Sequence, residues 1–248
     1  MRFSYSRVGC FASCPRKYKF QYVDHLKTIP ETNPDNALYL GLALHKGIET
    51  GSVDAALAEY KSHYNIIEDE HINWMIQIEH QVPKVLDILP PGGEHEIKLE
   101  TDRFIGYVDY VAGDTIYDFK FTNNQDNYLT SPQLSIYQYY LHQIRPELEI
   151  KHRKFVFIPK VNIRQRFKAK IPETLFEFRL RLQEELAKTK VEMVDVEYDE
   201  SSVEDFKQCC DFIEGCTTFP KNPTNLCTWC QYQAYCETDG AVDWMILK

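Results

Sequence analysis

The run Pro90-Pro91-Gly92-Gly93 divides this chain into two regimes of hydrophobic periodicity. Upstream, apolar residues recur at helical spacing: Asn36–Thr50 carries Leu38, Leu42 and His45 on neighbouring faces, with Gly51 close behind, and Val53–Tyr64 and His71–Ile88 follow. Downstream, β-branched and aromatic residues alternate over Glu96–Thr101, Phe104–Ala112 and Thr115–Phe121, which predicts three strands. Ser131–Ile144 then reads as an amphipathic helix with Pro132 in its first turn, followed by a strand at Lys154–Ile158 and helices at Pro172–Lys190 and Ser201–Ile213. Helices, a three-strand meander, a helix, a strand and more helices predict an α/β fold with a mixed central β-sheet flanked by helices. With no linker longer than a loop, residues 1–248 are expected to form a single domain.

The last two strands of the meander are separated by Gly113-Asp114, a pair suited to a two-residue hairpin loop. That loop sets the register: Ala112 faces Thr115, Val111 faces Ile116, Tyr110 faces Tyr117, and Asp109 faces Asp118. Two carboxylates directly opposed on a sheet repel each other. A divalent cation such as Mg²⁺ or Mn²⁺, which prefers hard oxygen ligands, resolves the conflict. Period two also sets Lys120 beside Asp118, so two carboxylates and an ammonium share one face. Metal-assisted phosphodiester hydrolysis needs such a set: metal ligands, and a cation to orient water and offset developing charge. The chain holds five acid-x-Lys triplets, so the triplet alone singles out nothing; the strand bearing Gly106-Tyr107-Val108-Asp109 does. The alternative is a surface hairpin with its charges in water.

Gln133 and Tyr137 stand four residues apart on one helix face, where they could bond a phosphate or hold Lys120. Equally, Tyr137 could pack in the core with its polar tip outward, and His45 could be an ordinary helical histidine.

In order along the chain, Gly41-Leu42-Ala43-Leu44-His45, Gly106-Tyr107-Val108-Asp109, Asp118-Phe119-Lys120 and Gln133-Leu134-Ser135-Ile136-Tyr137 resemble the motifs of the RecB-like branch of the PD-(D/E)XK nucleases. Ser6 and Cys14-Pro15-Arg16-Lys17-Tyr18 are similar to that branch's N-terminal signature. The resemblance spans Ser4 to Cys236 and implies a restriction-endonuclease-like core. It implies that His45, Asp109, Asp118 and the Phe119 carbonyl ligate Mg²⁺ or Mn²⁺, and that Lys120 positions or activates water. Gln133 and Tyr137 would organise the scissile phosphate. For the family's upstream glutamate, Glu96 is the nearest match, with Glu94 and Glu100 as competitors.

Cys227-Thr228-Trp229-Cys230 and Cys236 form a local triplet, with Cys14 far upstream. Zinc ribbons use two local pairs, so the pattern fits them poorly. It resembles the iron–sulfur subgroup of the RecB-like nucleases, implying that Cys14, Cys227, Cys230 and Cys236 hold a 4Fe-4S cluster. Residues 1–35 and 215–248 would then meet at the cluster. Structural zinc in the same thiolates is the alternative, and Cys10 is the rival of Cys14. Cys209, Cys210 and Cys216 read as small buried hydrophobes.

The 28 basic and 37 acidic residues give a formal net charge of −9, which argues against a protein coated in basic surface. Contacts to DNA must come from a local stripe. Residues 151–170 hold Lys151, Arg153, Lys154, Lys160, Arg164, Arg166, Lys168 and Lys170 with no acid among them, and Lys160, Arg164 and Arg166 are the candidate phosphate contacts. The absence of an apolar run long enough to span a bilayer, and of a leader-like N-terminus, predicts no membrane and a cytoplasmic location in a bacterial, archaeal or phage-infected cell. The expected activity is a metal-dependent DNA exonuclease acting on single strands or DNA ends. Absent helicase motifs, it resembles the CRISPR-associated exonuclease type or phage relatives serving DNA processing, recombination or adaptation, with protein partners open. The alternative is a catalytically idle DNA-binding or adaptor protein that keeps the fold.

Overall fold

The computed structural model describes residues 1–248 except Glu31, Ala169, Lys170, Trp244, Met245 and Lys248. The N-terminal segment forms α1 (Tyr5–Ser13) and α2 (Pro15–Tyr18), a π-turn at Lys19–Val23 and the short β1 (Lys27–Thr28). Then come α3 (Ala37–Thr50), α4 (Val53–Ser62) and α5 (Asp69–Ile88). Local chemistry sets their ends. The Asn36 side chain accepts from the amides of Leu38 and Tyr39 to start α3, and Gly51 ends it at φ 63°, a conformation that favours glycine. The three helices cross closely at Gly47, where an added Cβ would lie 2.7 Å from the Ala56 methyl.

After the Pro-Gly break come β2 (Glu94–Glu100), β3 (Ile105–Ala112) and β4 (Thr115–Phe121), then α6 (Asp126–Leu129), α7 (Gln133–Ile144) and β5 (His152–Ile158). The chain continues through α8 (Leu175–Lys188), β6 (Glu192–Asp195), α9 (Glu200–Glu214), a 3₁₀ turn at Asn225–Trp229, α10 (Gln233–Glu237) and β7 (Ile246–Leu247). The main sheet has the order β2-β3-β4-β5-β6, antiparallel except for β4 and β5, whose parallel pairing α6 and α7 span as the crossover. This is the mixed sheet flanked by helices that the periodicity predicts.

Helices cover both faces. On one, Ile116, Phe155 and Phe157 pack with Leu134, Ile136 and Leu141 of α7 and Val203, Phe206 and Ile213 of α9. On the other, Tyr117, Phe119, Val156 and Ile158 meet Ile48 of α3 and Val85 of α5. Such double coverage explains why the second half of β5, Phe155–Ile158, is an unbroken apolar run. No helix among the described residues is long and apolar enough to cross a membrane.

Candidate metal centre

The hairpin forms around Gly113, which takes φ 59°, and the ladder has the predicted register at Ala112–Thr115, Val111–Ile116 and Tyr110–Tyr117. It then stops one pair short of Asp109 and Asp118. There the Asp109 carboxylate replaces a backbone acceptor, and its Oδ2 takes the Phe119 amide at 2.7 Å. The two aspartates remain neighbours at that register, Asp118 acting on the Asp109 carboxyl, and each is engaged from a different helical layer. His45 of α3 approaches Asp109, with Nδ1 3.5 Å from Oδ1. Gln133 of α7 donates to Asp118 Oδ1 at 2.8 Å and lies 3.2 Å from the Tyr137 hydroxyl.

The β2–β3 pairing skips Glu96 in the same way. Its neighbours His95 and Ile97 pair with Tyr110 and Val108, while Glu96 adopts φ 52°. A non-glycine residue in the left-handed region is strained and persists only where its surroundings hold it. Here the turned backbone brings Glu96 Oε1 to 3.6 Å from His45 Nδ1. Ligand atoms of His45, Glu96 and Asp109 all lie within 4.8 Å of one another, a set that could hold a metal ion. The competing glutamates point elsewhere: Glu94 pairs with Arg145, and Glu100 with Arg2 and Lys98.

The Lys120 ammonium contacts Asp118 Oδ2 at 2.5 Å and sits 5.3 and 5.8 Å from the ring centres of Tyr128 and Phe155. Those rings, from α6 and β5, have no signal in the linear motif. Burial opposes the ammonium, but Asp118 outweighs it and raises the Lys120 pKa. At Asp109, burial pushes the carboxyl up to about 7, with His45 and the Phe119 amide acting against the rise and Asp118 adding to it. At His45, burial alone would lower the pKa; Asp109, Glu96 and Asp118 overcome it and carry it to about 9. Burial raises the Tyr137 hydroxyl. An imidazole and two carboxylates in a half-buried, acid-rich corner match the donor set of a divalent cation, which would replace the imidazolium proton among the carboxylates.

A second constellation lies at the chain ends. Cys14, Cys227, Cys230 and Cys236 line one cavity of about 370 Å³ together with Lys17 and Lys221. The Arg16 amide bonds the Pro220 carbonyl, Asn222 reaches the Ser13 carbonyl, and the Tyr232 hydroxyl reaches the Leu26 carbonyl. Cys10 is outside the cavity lining and packs against the sheet core, its thiol raised by burial. Of the remaining cysteines Cys210 is buried, but Cys209 is exposed and Cys216 only half-buried, so the reading of all three as core residues holds for Cys210 alone.

The fold divides the basic stripe. Lys151 pairs with Asp114, Lys154 with Asp195, and Arg153 is buried against Gln138 and the Val196 carbonyl. Acids absent from the linear run thus reach its first half through space. Lys160 lies over the Phe121 and Trp74 rings, with burial lowering its pKa, whereas Arg164, Arg166 and Lys168 are exposed. Lys170 lies outside the described residues.

A family model of the PD-(D/E)XK nuclease superfamily matches residues 2–237, nearly the whole chain, and the protein belongs to that superfamily. Among curated proteins, none matches the chain.

Proposed function

We propose that this member of the superfamily is a Mg²⁺- or Mn²⁺-dependent deoxyribonuclease of the RecB-like type, acting as an exonuclease on single-stranded DNA or DNA ends. The observation that carries this reading is the convergence of His45, Glu96 and Asp109 beside the Asp118–Lys120 pair. His45, Glu96, Asp109, Asp118 and the Phe119 carbonyl are the groups that would hold the cation. When bound, it would supply a Lewis acid and lower the pKa of a coordinated water.

The side chains divide the remaining work. Lys120, kept charged by Asp118, orients water toward the scissile phosphate and stabilises the developing charge. Gln133 fixes the Asp118 carboxylate through one oxygen, and with Tyr137 it forms a polar edge on which the phosphate rests. The Asp109–Phe119 hydrogen bond locks β3 against β4, so the carboxylate does not reorganise during the reaction.

In the same proposal Cys14, Cys227, Cys230 and Cys236 bind a 4Fe-4S cluster that closes residues 1–35 onto 215–248 within one nuclease domain. Tetrahedral zinc at 2.3 Å Zn–S distances needs sulfurs about 3.8 Å apart. Among the described residues no three cysteine sulfurs lie within 4.8 Å of one another. That spacing favours the larger group.

The test is cleavage of end-labelled single- and double-stranded DNA by metal-stripped protein, with Mg²⁺ or Mn²⁺ restored. Asp118→Asn and Lys120→Ala are each expected to lower the rate by about two to three orders of magnitude, the equivalent of several kcal/mol. Full activity in either variant would sink the site assignment, and metal-independent DNA binding without cleavage in the wild type would leave the idle scaffold instead.

A further inference from the structure

Beyond β5 the chain runs from Pro159 to Arg166 without joining a β-ladder, yet side chains meet the backbone of Pro159, Lys160, Val161, Arg164 and Arg166. Gln81 of α5 donates to the Pro159 carbonyl, and Gln77, one turn away, both accepts from the Val161 amide and donates to its carbonyl. Asn123 grips the amide and carbonyl of Lys160, and Arg181 donates to the Arg164 carbonyl. Glu173 closes the far end by accepting from the Arg166 amide. So strapped, the segment alternates as a strand does. Val161 and Ile163 pack toward Ile76, Leu182 and Leu186, while Asn162, Arg164 and Arg166 are exposed.

Three observations define what this ledge can bind. Arg164 and Arg166 are two residues apart, about 6.6 Å in an extended chain, a repeat close to that of successive phosphates on an extended polynucleotide. The nearest acids are engaged: Glu173 forms a bidentate pair with Arg181, and Glu177 caps α8 through Thr174. Two aromatic rings face solvent: Phe167, next to Arg166, at 70% exposure, and Phe176, three residues beyond the Glu173 that accepts from the Arg166 amide, at 71%. Duplex DNA offers such rings no free base face, whereas a single strand offers one per nucleotide, and stacking on it tolerates any sequence.

We infer that the ledge from Asn162 to Lys168, with Phe176 beside it, is the docking track for one polynucleotide strand, with phosphates on Arg164, Arg166 and Lys168 and bases on Phe167 and Phe176. The track follows directly from the strand beside the metal centre: Phe157 pairs with Lys120 across β4 and β5, and Asn162 comes five residues later. This deepens the nuclease reading, on which it rests for the strand's destination; the ledge's own chemistry stands apart from it.

The experiment measures anisotropy of labelled oligothymidylate with the whole protein in chelator, where no cleavage occurs, against a duplex of mixed sequence and against anionic phosphatidylserine vesicles. The single strand is expected to bind more tightly than the duplex. Joint substitution Arg164→Gln, Arg166→Gln and Lys168→Gln should reduce the salt dependence, in log–log slope, by about 2, since each single-strand phosphate contact contributes about 0.7. Phe167→Ala with Phe176→Ala should weaken binding about tenfold or more. All five side chains are exposed, so melting temperatures should not move and serve as the folding control. Affinity indifferent to all five changes, tighter duplex binding, or vesicle binding in place of oligonucleotide binding overturns the inference. Strand binding through these residues without cleavage in Mg²⁺ keeps the ledge and removes the nuclease reading; cleavage with indifferent binding does the reverse.

Discussion

At Asp109 the sheet exchanges one hydrogen-bonding partner for another. A ladder carbonyl is replaced by a side-chain carboxylate, which frees the second carboxylate oxygen to face His45. Glu96 reaches the same corner only because its backbone takes φ 52°. The hairpin register, Asp109, Asp118 and Lys120 were legible in sequence because period two and loop length are local properties. Glu96 was not separable from Glu94 and Glu100, because all three fit the strand and what singles one out, a φ of 52° and the approach to His45 on α3, is tertiary. This ranking is testable. Glu96→Gln should cut metal-supported cleavage by about a hundredfold, the equivalent of roughly 2.7 kcal/mol, while Glu94→Gln, at a surface pair, leaves the rate near that of wild type. Equal effects in the two variants would remove Glu96 from the site.

At the scale of elements, the stretches that read clearly were those with strong periodicity. The helix predicted at Asn36–Thr50 forms over Ala37–Thr50 with Asn36 as its cap, and Thr115–Phe121 forms as predicted. The short β6 and the N-terminal helices were missed, since four residues of Glu-Met-Val-Asp carry no periodic signal and β6 is defined by its partner β5. The ledge between β5 and α8 belongs to the same class, built by side-chain straps from α5 and α8 that no local pattern announces. One strap has a pH signature. The Arg181 hydrogen bonds hold the Glu173 carboxyl at about 2, below its ordinary 4.5. A depressed acid contributes stability above its unfolded value and loses it on protonation, so this contribution is present at pH 6 and fades as the pH falls from about 4.5 to about 2. Melting temperatures of wild type and Glu173→Gln should therefore differ at pH 6 and converge near pH 2. A gap that stays constant across that range would mean that the ion pair contributes nothing.

Taken whole, the molecule brings residues more than two hundred positions apart to one cavity, where hydrogen bonds to backbone carbonyls and ring contacts of Phe219 with Phe11 and Tyr18 already join the two segments. Lys27 and Thr28 pair with Leu247 and Ile246 in a ladder two residues long, too short to hold the ends by itself. Phe20 adds ring contacts with Tyr232 and Tyr235, 5.5 and 5.1 Å between centres. What would join the ends more strongly is a group bonded to all four thiolates, because such binding energy is folding energy when the unfolded chain cannot assemble the site. Anaerobically prepared wild-type protein is therefore expected to absorb broadly near the violet end of the visible spectrum. Cys230→Ser should lose that band and melt more than about 5 °C lower, a shift of roughly 2 kcal/mol for a chain of this size. Cys209→Ser, at an exposed thiol outside the cavity lining, should change neither. A colourless protein with one tightly bound zinc would assign the four thiolates to zinc, and unaltered colour and melting in Cys230→Ser would remove Cys230 from the ligand set.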